Sequence, residues 1–334
     1  MRVERLPTWG ALGLDETTWN GLVARSQSNV PFLTWQFQTT WWRHLGDRAG
    51  RLHLLAVQDG AAEWIGALPL YEVAGPDGAV LRLVGGVDVA DYLDLVAVAG
   101  HEEAVWKALL TALADSDWRQ LDLRPVPAAS PTVALLPALA QAAGLSCRVE
   151  REERCPVIEL PGSWEAYLAQ LSSKDRHELR RKLRRAASAG PRVEVARTPG
   201  GVAALMDSFI ALHRKSKAGK ARFMDERMEV FFREAGTALT AAGWGALWLL
   251  WLEERPVAAL FCLEYAGAVA LYNSGFDPAA RALAPGVVLI ARTIEDAIAR
   301  GFRRYDFLRG DEPYKYGFGA APTDVMRIGL ERGP

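Results

Sequence analysis

The run "APGVVLIARTIEDAIARGFRRYDFLRG", residues 284–310, spells a loop, a helix and a strand in succession. Val287, Ile290, Ala291, Ile294, Ala297 and Ile298 form one apolar stripe at helical spacing. Pro285 suits the first turn and Gly301 a C-terminal cap, so the spacing predicts a helix over 285–300. The β-prone "FRRYDF" (302–307) follows as a strand. It ends at Gly310 in an unusual way, with "DEPYKYGFG" (311–319): two carboxylates, a proline, a lysine and a return to aromatics. A packed strand normally ends in a short polar turn. One that ends in this way presents ionisable groups where it leaves the sheet.

Upstream, "WGALWLLWLEE" (244–254), "RPVAALFCLEY" (255–265) and "ALYNSGFDP" (270–278) read as three strands before that helix. The first half repeats the order. "RLHLLAVQDG" (51–60), "EWIGALPLYEV" (63–73) and "DYLDLVAVAG" (91–100) precede a helix over 102–115 and the strand "WRQLDL" (118–123). Strand-strand-strand-helix-strand, twice, predicts two similar α/β domains, each a mixed sheet flanked by helices, over 1–150 and 151–334. Residues 151–162 read as the link between them, with "VIEL" (157–160) a strand before the turn at Pro161-Gly162, followed by helices near 163–189, 200–215 and 225–242.

The 334 residues, half of them hydrophobic, suffice for two cores at about 150 residues per domain. A formal charge of −1 gives no whole-surface attraction to nucleic acid or to an acidic membrane. Cys147, Cys155 and Cys262 have neither the even number of a disulfide framework nor zinc spacing, so no metal is expected. The start "MRVERLPTWG" lacks an apolar signal core, and "WGALWLLWL" (244–252) is too short to span a bilayer, which points to a cytoplasmic protein.

The two repeated helices start differently. Glu102 and Glu103 occupy the positive end of the first helix and would repel an incoming phosphate. The second starts through "DPAARALAPGVV", with Arg281 before it and no carboxylate until Glu295. Arg281, Ala284, Pro285 and Gly286 are therefore candidates for an anion site.

At this point the chain resembles the GNAT acyltransferase superfamily, in which a loop of the form Arg-x-x-Ala-Pro-Gly wraps the pyrophosphate of coenzyme A. The narrower resemblance is to a GNAT-like branch associated with bacterial cellulose biosynthesis and related to the Fem-type peptidyl transferases, which carry two GNAT-like domains. It rests on "LYNSGFDP", "APGVVLIARTIEDAIARGF" and "YDFLRGDEPYKYGFG". It extends to "VPFLTWQFQTTWWRHLG" (30–46), "LSSKDRHELRRKLRRAASAG" (171–190) and "LHRKSKAGKARF" (212–223). Ala284 departs from it, standing where many members of that branch have serine. The resemblance implies direct acyl transfer, from acyl-CoA such as acetyl-CoA, to an amine of a small molecule or glycan precursor. The alternatives are a Fem-like ligase fed by aminoacyl-tRNA and a non-catalytic binding module.

Asp306 has a counterpart in Asp122, so both read as structural. "GDEPYK" has none, since the first half reads "RPVPAA" there. This makes Asp311 or Glu312 the candidate proton acceptor, Tyr314 the donor to a leaving thiolate and Lys315 a binder of phosphate or carboxylate. His213, at the end of an apolar helix stripe, is a further candidate base. Asn273 and Ser274 interrupt an apolar strand and are expected to mark a bulge or to hold the donor's arm. Arg176, Arg180 and Arg184 share a helical stripe, either solvated or facing phosphate. Trp35, Trp41, Trp42 and Leu45 follow Thr34, a reasonable N-cap, as core, and Asp88, Asp91 and Asp94 are candidates to line an acceptor cleft.

Overall fold

The computed structural model describes residues 1–46 and 50–333 and divides into two compact units, Met1–Glu153 with Asp324–Pro334, and Arg154–Thr323. The first holds β1 (Arg2–Leu6), α1 (Glu16–Arg25), α2 (Trp35–Trp41), β2 (Arg51–Gln58), β3 (Trp64–Gly75), β4 (Gly78–Leu83), β5 (Val96–Ala97), α3 (Glu102–Ala114), β6 (Gln120–Pro127) and α4 (Pro131–Ala142). β7 (Leu145–Glu159) leads into the second unit, which holds α5 (Trp164–Gln170), α6 (Ser173–Ala187), β8 (Arg192–Ala196), α7 (Pro199–Ser216), α8 (Ala218–Phe223) and α9 (Glu226–Ala241). It continues through β9 (Gly245–Leu252), β10 (Arg255–Tyr265), β11 (Ala268–Phe276), α10 (Pro285–Ala299), β12 (Arg304–Asp306) and α11 (Pro313–Tyr316), and β13 (Ala321–Arg332) returns the chain to the first unit.

The strand order repeats one plan in the two units. In the first unit the order is β1-β2-β3-β4-β6-β13, with β4 and β6 parallel across the α3 crossover and the other pairs antiparallel. In the second it is β8-β9-β10-β11-β12-β7, with β11 and β12 parallel across α10. A parallel pair needs a long crossover, and the amphipathic helix supplies it. Leu289, Ile294 and Ala297 of α10 are fully buried on the sheet, and the Tyr305 hydroxyl of β12 shares a 2.7 Å hydrogen bond with Thr293.

Four elements differ from the sequence reading. The third strand of the first unit is β4; in 91–100 Val96–Ala97 pair with β3 and Val98 makes a single bridge to Ser26. The stretch read as a link is the end of β7, whose first part carries "EREER" and so shows no apolar run. The helix predicted over 163–189 breaks at Leu171–Ser172, where Ser172 Oγ accepts from the Asp175 N–H and caps α6. Thr34 occupies the N-cap position of α2, but its hydroxyl donates to Pro31 O and caps nothing.

Candidate functional site

β11 and β12 run side by side for only three residue pairs, Ala268–Ala270 with Arg304–Asp306. Beyond Asp306 the chain turns to β7, where the Phe307 and Gly310 amides donate to Pro156 O (2.9 Å) and Arg154 O (3.0 Å). The Asp306 carboxylate fixes this departure by accepting from the Leu308 amide at 2.7 Å, with Leu308 at φ +57°. Asp122 has a different structural task, an ion pair with Arg327 at 2.7 Å. From Leu271 to Phe276, β11 therefore continues without β12 on that side.

Along this open edge the register of β11 against β10 slips between Phe261 and Cys262, a bulge that places Asn273 and Ser274. Asn273 Oδ1 accepts from the Ser274 amide at 3.1 Å. The next residue, Gly275, lies against the backbone of α7: a β-carbon there would sit 2.3 Å from His213 N.

At the other end of the same loop, α10 starts from Ala284 in the left-handed region (φ +49°), with Pro285 buried behind it. No carboxylate stands in its first turn and no side chain caps it. The first amides of a helix have no partner within it, so they remain available to an anion. A left-handed alanine costs about 1 kcal/mol, and strain held at a helix start is a mark of functional loops. Arg281 is exposed in the turn Pro278–Leu283, against which α6 packs. The start of α3 also lacks a side-chain cap, but its first turn carries two carboxylates: Glu102 accepts from the Gly100 amide at 2.8 Å and Glu103 pairs with Lys107.

The turn after β12 divides the residues singled out from the sequence. Lys315 is 3% exposed, and its ammonium donates to the carbonyls of Leu308 (3.2 Å), Arg309 (2.9 Å) and Gly310 (2.9 Å) and pairs with Glu312 (3.0 Å). It is the buried knot of the turn, with no N–H left for a ligand's phosphate or carboxylate. Asp311 faces away into Tyr316 and Arg154; the Tyr316 hydroxyl and then the Arg154 guanidinium hold its carboxyl below the usual range. That depression makes it a poor base near neutrality. Glu312 is half-exposed, and Tyr314 is 42% exposed with its ring edge-on to Phe307 at 6.2 Å. Desolvation and the nearby Glu312 carboxylate push the Tyr314 phenol up, so it keeps its proton and can donate it.

His213 is 1% exposed, between Phe209 (5.9 Å) and Phe223 (5.8 Å). Burial, with Lys220 beside it, pushes its imidazole down to about 4, against a hydrogen bond with Asn273 that works the other way. It is neutral at pH 7 and far too weak a base there to hold a proton. The structure thus joins His213 to Asn273 and Ser274, and leaves Asp311 and Lys315 in a network of their own.

Lys220, which sequence reasoning passed over, completes the first group. Its Nζ donates to Ser274 O and lies 3.3 Å from Ser274 Oγ. Burial, with Lys217 nearby, pushes it down to about 8, partly offset by Glu312. In sequence it is one of a run of cations, Arg214, Lys215, Lys217, Lys220 and Arg222, which reads as a solvated surface.

Asp94 does not line a cleft. It is 2% exposed in the first unit and accepts from Ser28, Ser130, Thr132 (2.7 Å) and the Leu95 amide (2.8 Å), while burial pushes its carboxyl up. Among the described residues no group of three or more His, Cys, Asp or Glu is placed to hold a metal ion, and no helix is long and apolar enough to cross a membrane.

No curated protein matches the sequence. Among solved structures, the chain is similar to FemX (12% identity, 98% of this chain and 97% of that one, TM-score 0.70). It is also similar to L-PGS from Bacillus licheniformis (11%, 95% and 92%, 0.60). A tandem GNAT protein from the clavulanic acid biosynthesis pathway matches over 100% of this chain and 99% of its own (15%, 0.52). At these identities the likeness is one of fold. Residues 173–316, which contain the open edge of β11, the start of α10 and most of the turn after β12, match the family model described as "Acetyltransferase (GNAT) domain".

Proposed function

We propose that the second unit transfers an acyl group, acetyl in the simplest case, from acyl-CoA to an amine on a small molecule or glycan precursor. The observation that carries this reading is the pairing of an open strand edge with an uncapped, carboxylate-free helix start on one loop. The start of α10 and Arg281 would take the pyrophosphate, and the β11 edge at Asn273–Ser274 would take the pantetheine arm and thioester. Backbone amides along such an edge stabilise the charge that develops on the thioester oxygen. Glu312 and Tyr314 would meet the acceptor, with Tyr314 as a donor to the leaving thiolate; the exposure of both side chains supports this. Lys315 acts by holding their turn. The narrower resemblance to the branch associated with cellulose biosynthesis supports a glycan amine, and a CoA thioester as donor favours a cytoplasmic setting.

A second reading takes aminoacyl-tRNA as donor, because α6, which packs on α10 and on the turn holding Arg281, exposes Arg180 and Arg184. Phosphate contacts of that kind weaken steeply with salt. Titration calorimetry separates the two. Acetyl-CoA should bind the wild type and Glu102→Ala alike, whereas Arg281→Glu should weaken it roughly tenfold through reversal of one charge near the phosphates. Equal effects of the two substitutions would remove the assignment, and binding of charged tRNA at low salt without binding of acetyl-CoA would select the second reading.

A further inference from the structure

The first unit's carboxylate cage and the ion pairs at the far end of α10 are satisfied within themselves. The group around Lys220 is not. Ser274 pairs with Leu260 of β10 but lies beyond the residues of β11 that β12 flanks, and Lys220 donates to its carbonyl there, reaching the edge where β11 and β12 separate. Lys220 is half-buried, and its reach to Ser274 is by hydrogen bonds and not by an ion pair.

The charged and titratable groups around it are accounted for. From α7, His213 is neutral, Arg214 bonds Met224 O (2.9 Å) and Glu229 (2.7 Å), and Lys215 pairs with Asp277 (2.8 Å). Lys217 adds a like charge, and Glu312, its carboxylate shared with Lys315, adds the nearest opposite one. Beneath them, the Nδ1 atom of His213 is buried with no hydrogen-bond partner.

We propose that Lys220, as a neutral amine, is the proton acceptor of the transfer, acting through the Ser274 hydroxyl. This deepens the acyl-CoA reading and rests on it. A neutral amine donates one N–H to Ser274 O and offers its lone pair to the Ser274 O–H, an arrangement an ammonium cannot make. The acceptor nitrogen bonds to the thioester carbonyl carbon. Its surplus proton passes to Ser274 Oγ while the hydroxyl proton passes to Lys220 Nζ. The adduct then collapses, the C–S bond breaks, Tyr314 protonates the thiolate, and the proton held by the Lys220 ammonium returns to the Tyr314 phenolate. The products are an amide and free CoA thiol, with Lys220 neutral again. Half of Lys220 is in the neutral form near pH 8, so the base is available under ordinary conditions.

The test has two arms on the full-length protein. Competitive acetylation with trace acetic anhydride, read per lysine by mass spectrometry across pH, should give Lys220 a midpoint near 8, and saturating acetyl-CoA should alter the reactivity of Lys220 alone. Turnover of acetyl-CoA with glucosamine, glycine and ethanolamine as probe amines should fall roughly 100-fold in Lys220→Met and in Lys220→Arg, with KM for acetyl-CoA within about threefold. The wild-type kcat should rise with pH to a plateau above 8, and that limb should vanish in Lys220→Arg, which keeps the charge and the hydrogen bonds but cannot act as a base. A purely structural lysine would move stability and leave the pH limb in place. A Lys220 midpoint above 10, a Lys220→Arg variant with the wild-type limb, or bound acetyl-CoA that no probe amine turns over would each overturn the proposal. Failure of acetyl-CoA to bind at all would sink the acyl-CoA reading beneath it.

Discussion

Lys315→Met should destabilise the second unit by about 3 kcal/mol, although the residue sits in what reads as a charged surface turn. Methionine keeps the length and apolar body of the side chain but removes every donor. Three carbonyls, those of Leu308, Arg309 and Gly310, then lose the ammonium that satisfies them. Each buried acceptor left without a partner costs about 1–3 kcal/mol, less whatever water recovers. Asp311→Ala is the contrast: its carboxylate is 48% exposed and its Arg154 pair is of the surface kind, which contributes little to stability. Urea unfolding of the two variants should separate them clearly. A Lys315→Met protein within about 0.5 kcal/mol of wild type would mean that the turn is solvated and its geometry held by something else.

Gly275→Ala should be at least as damaging, for a steric reason. The new methyl would meet His213 N at 2.3 Å, Leu212 C at 2.5 Å and His213 Cα at 2.6 Å, all backbone atoms of α7 that no side-chain rotation can clear. Strand and helix must move apart, and forced overpacking of this kind costs about 1–3 kcal/mol or more. The movement also displaces Asn273 and Ser274, so acetyl-CoA affinity should fall together with the unfolding midpoint. Gly286→Ala provides the control, because a β-carbon there meets nothing within 4 Å and the backbone has no positive φ. Similar stabilities for the two variants would show that β11 does not lie against α7 as described.

The repeated α/β plan could be read from the sequence because its signals are strong and local. The stripe from Val287 to Ile298 fixes a helix, and β10 occupies the residues read for it, Arg255–Tyr265. The alternating contrast between Glu102–Glu103 and Pro285–Gly286 at two equivalent helix starts was equally visible. What escaped was set by long-range pairing. β13 carries only Val325, Ile328 and Leu330 as buried residues, too sparse a pattern to mark a strand without knowing that β6 awaits it. β4 was missed because "GAVLRL" is short and the more apolar 91–100 stood nearer the helix.

In the site, composition misled for the same reason. Lys315 and Lys220 are written in runs of charge, yet the fold buries one beneath three carbonyls and brings the other to Ser274, 54 residues away in sequence. No spacing rule reports such a meeting. Asn273 and Ser274 were recognisable, since two polar residues interrupting an apolar strand do mark the bulge that the register of β10 and β11 shows. His213, a candidate base at the end of a helix stripe, is enclosed by Phe209 and Phe223, a burial that its place in the sequence does not report.

Amide hydrogen exchange of the wild-type protein, with and without acetyl-CoA, tests the central claim most directly, because it reads donor binding residue by residue and needs no acceptor. Slowed exchange is expected at Gly286 and Val287, where the free amides of α10 would bind phosphate, and at Asn273–Phe276 on the open edge of β11. The amides at Glu102–Val105, whose helix carries two carboxylates in its first turn, should exchange unchanged. Protection at the start of α3, or none at the start of α10 under saturating acetyl-CoA, would contradict the assignment of the donor site to the second unit.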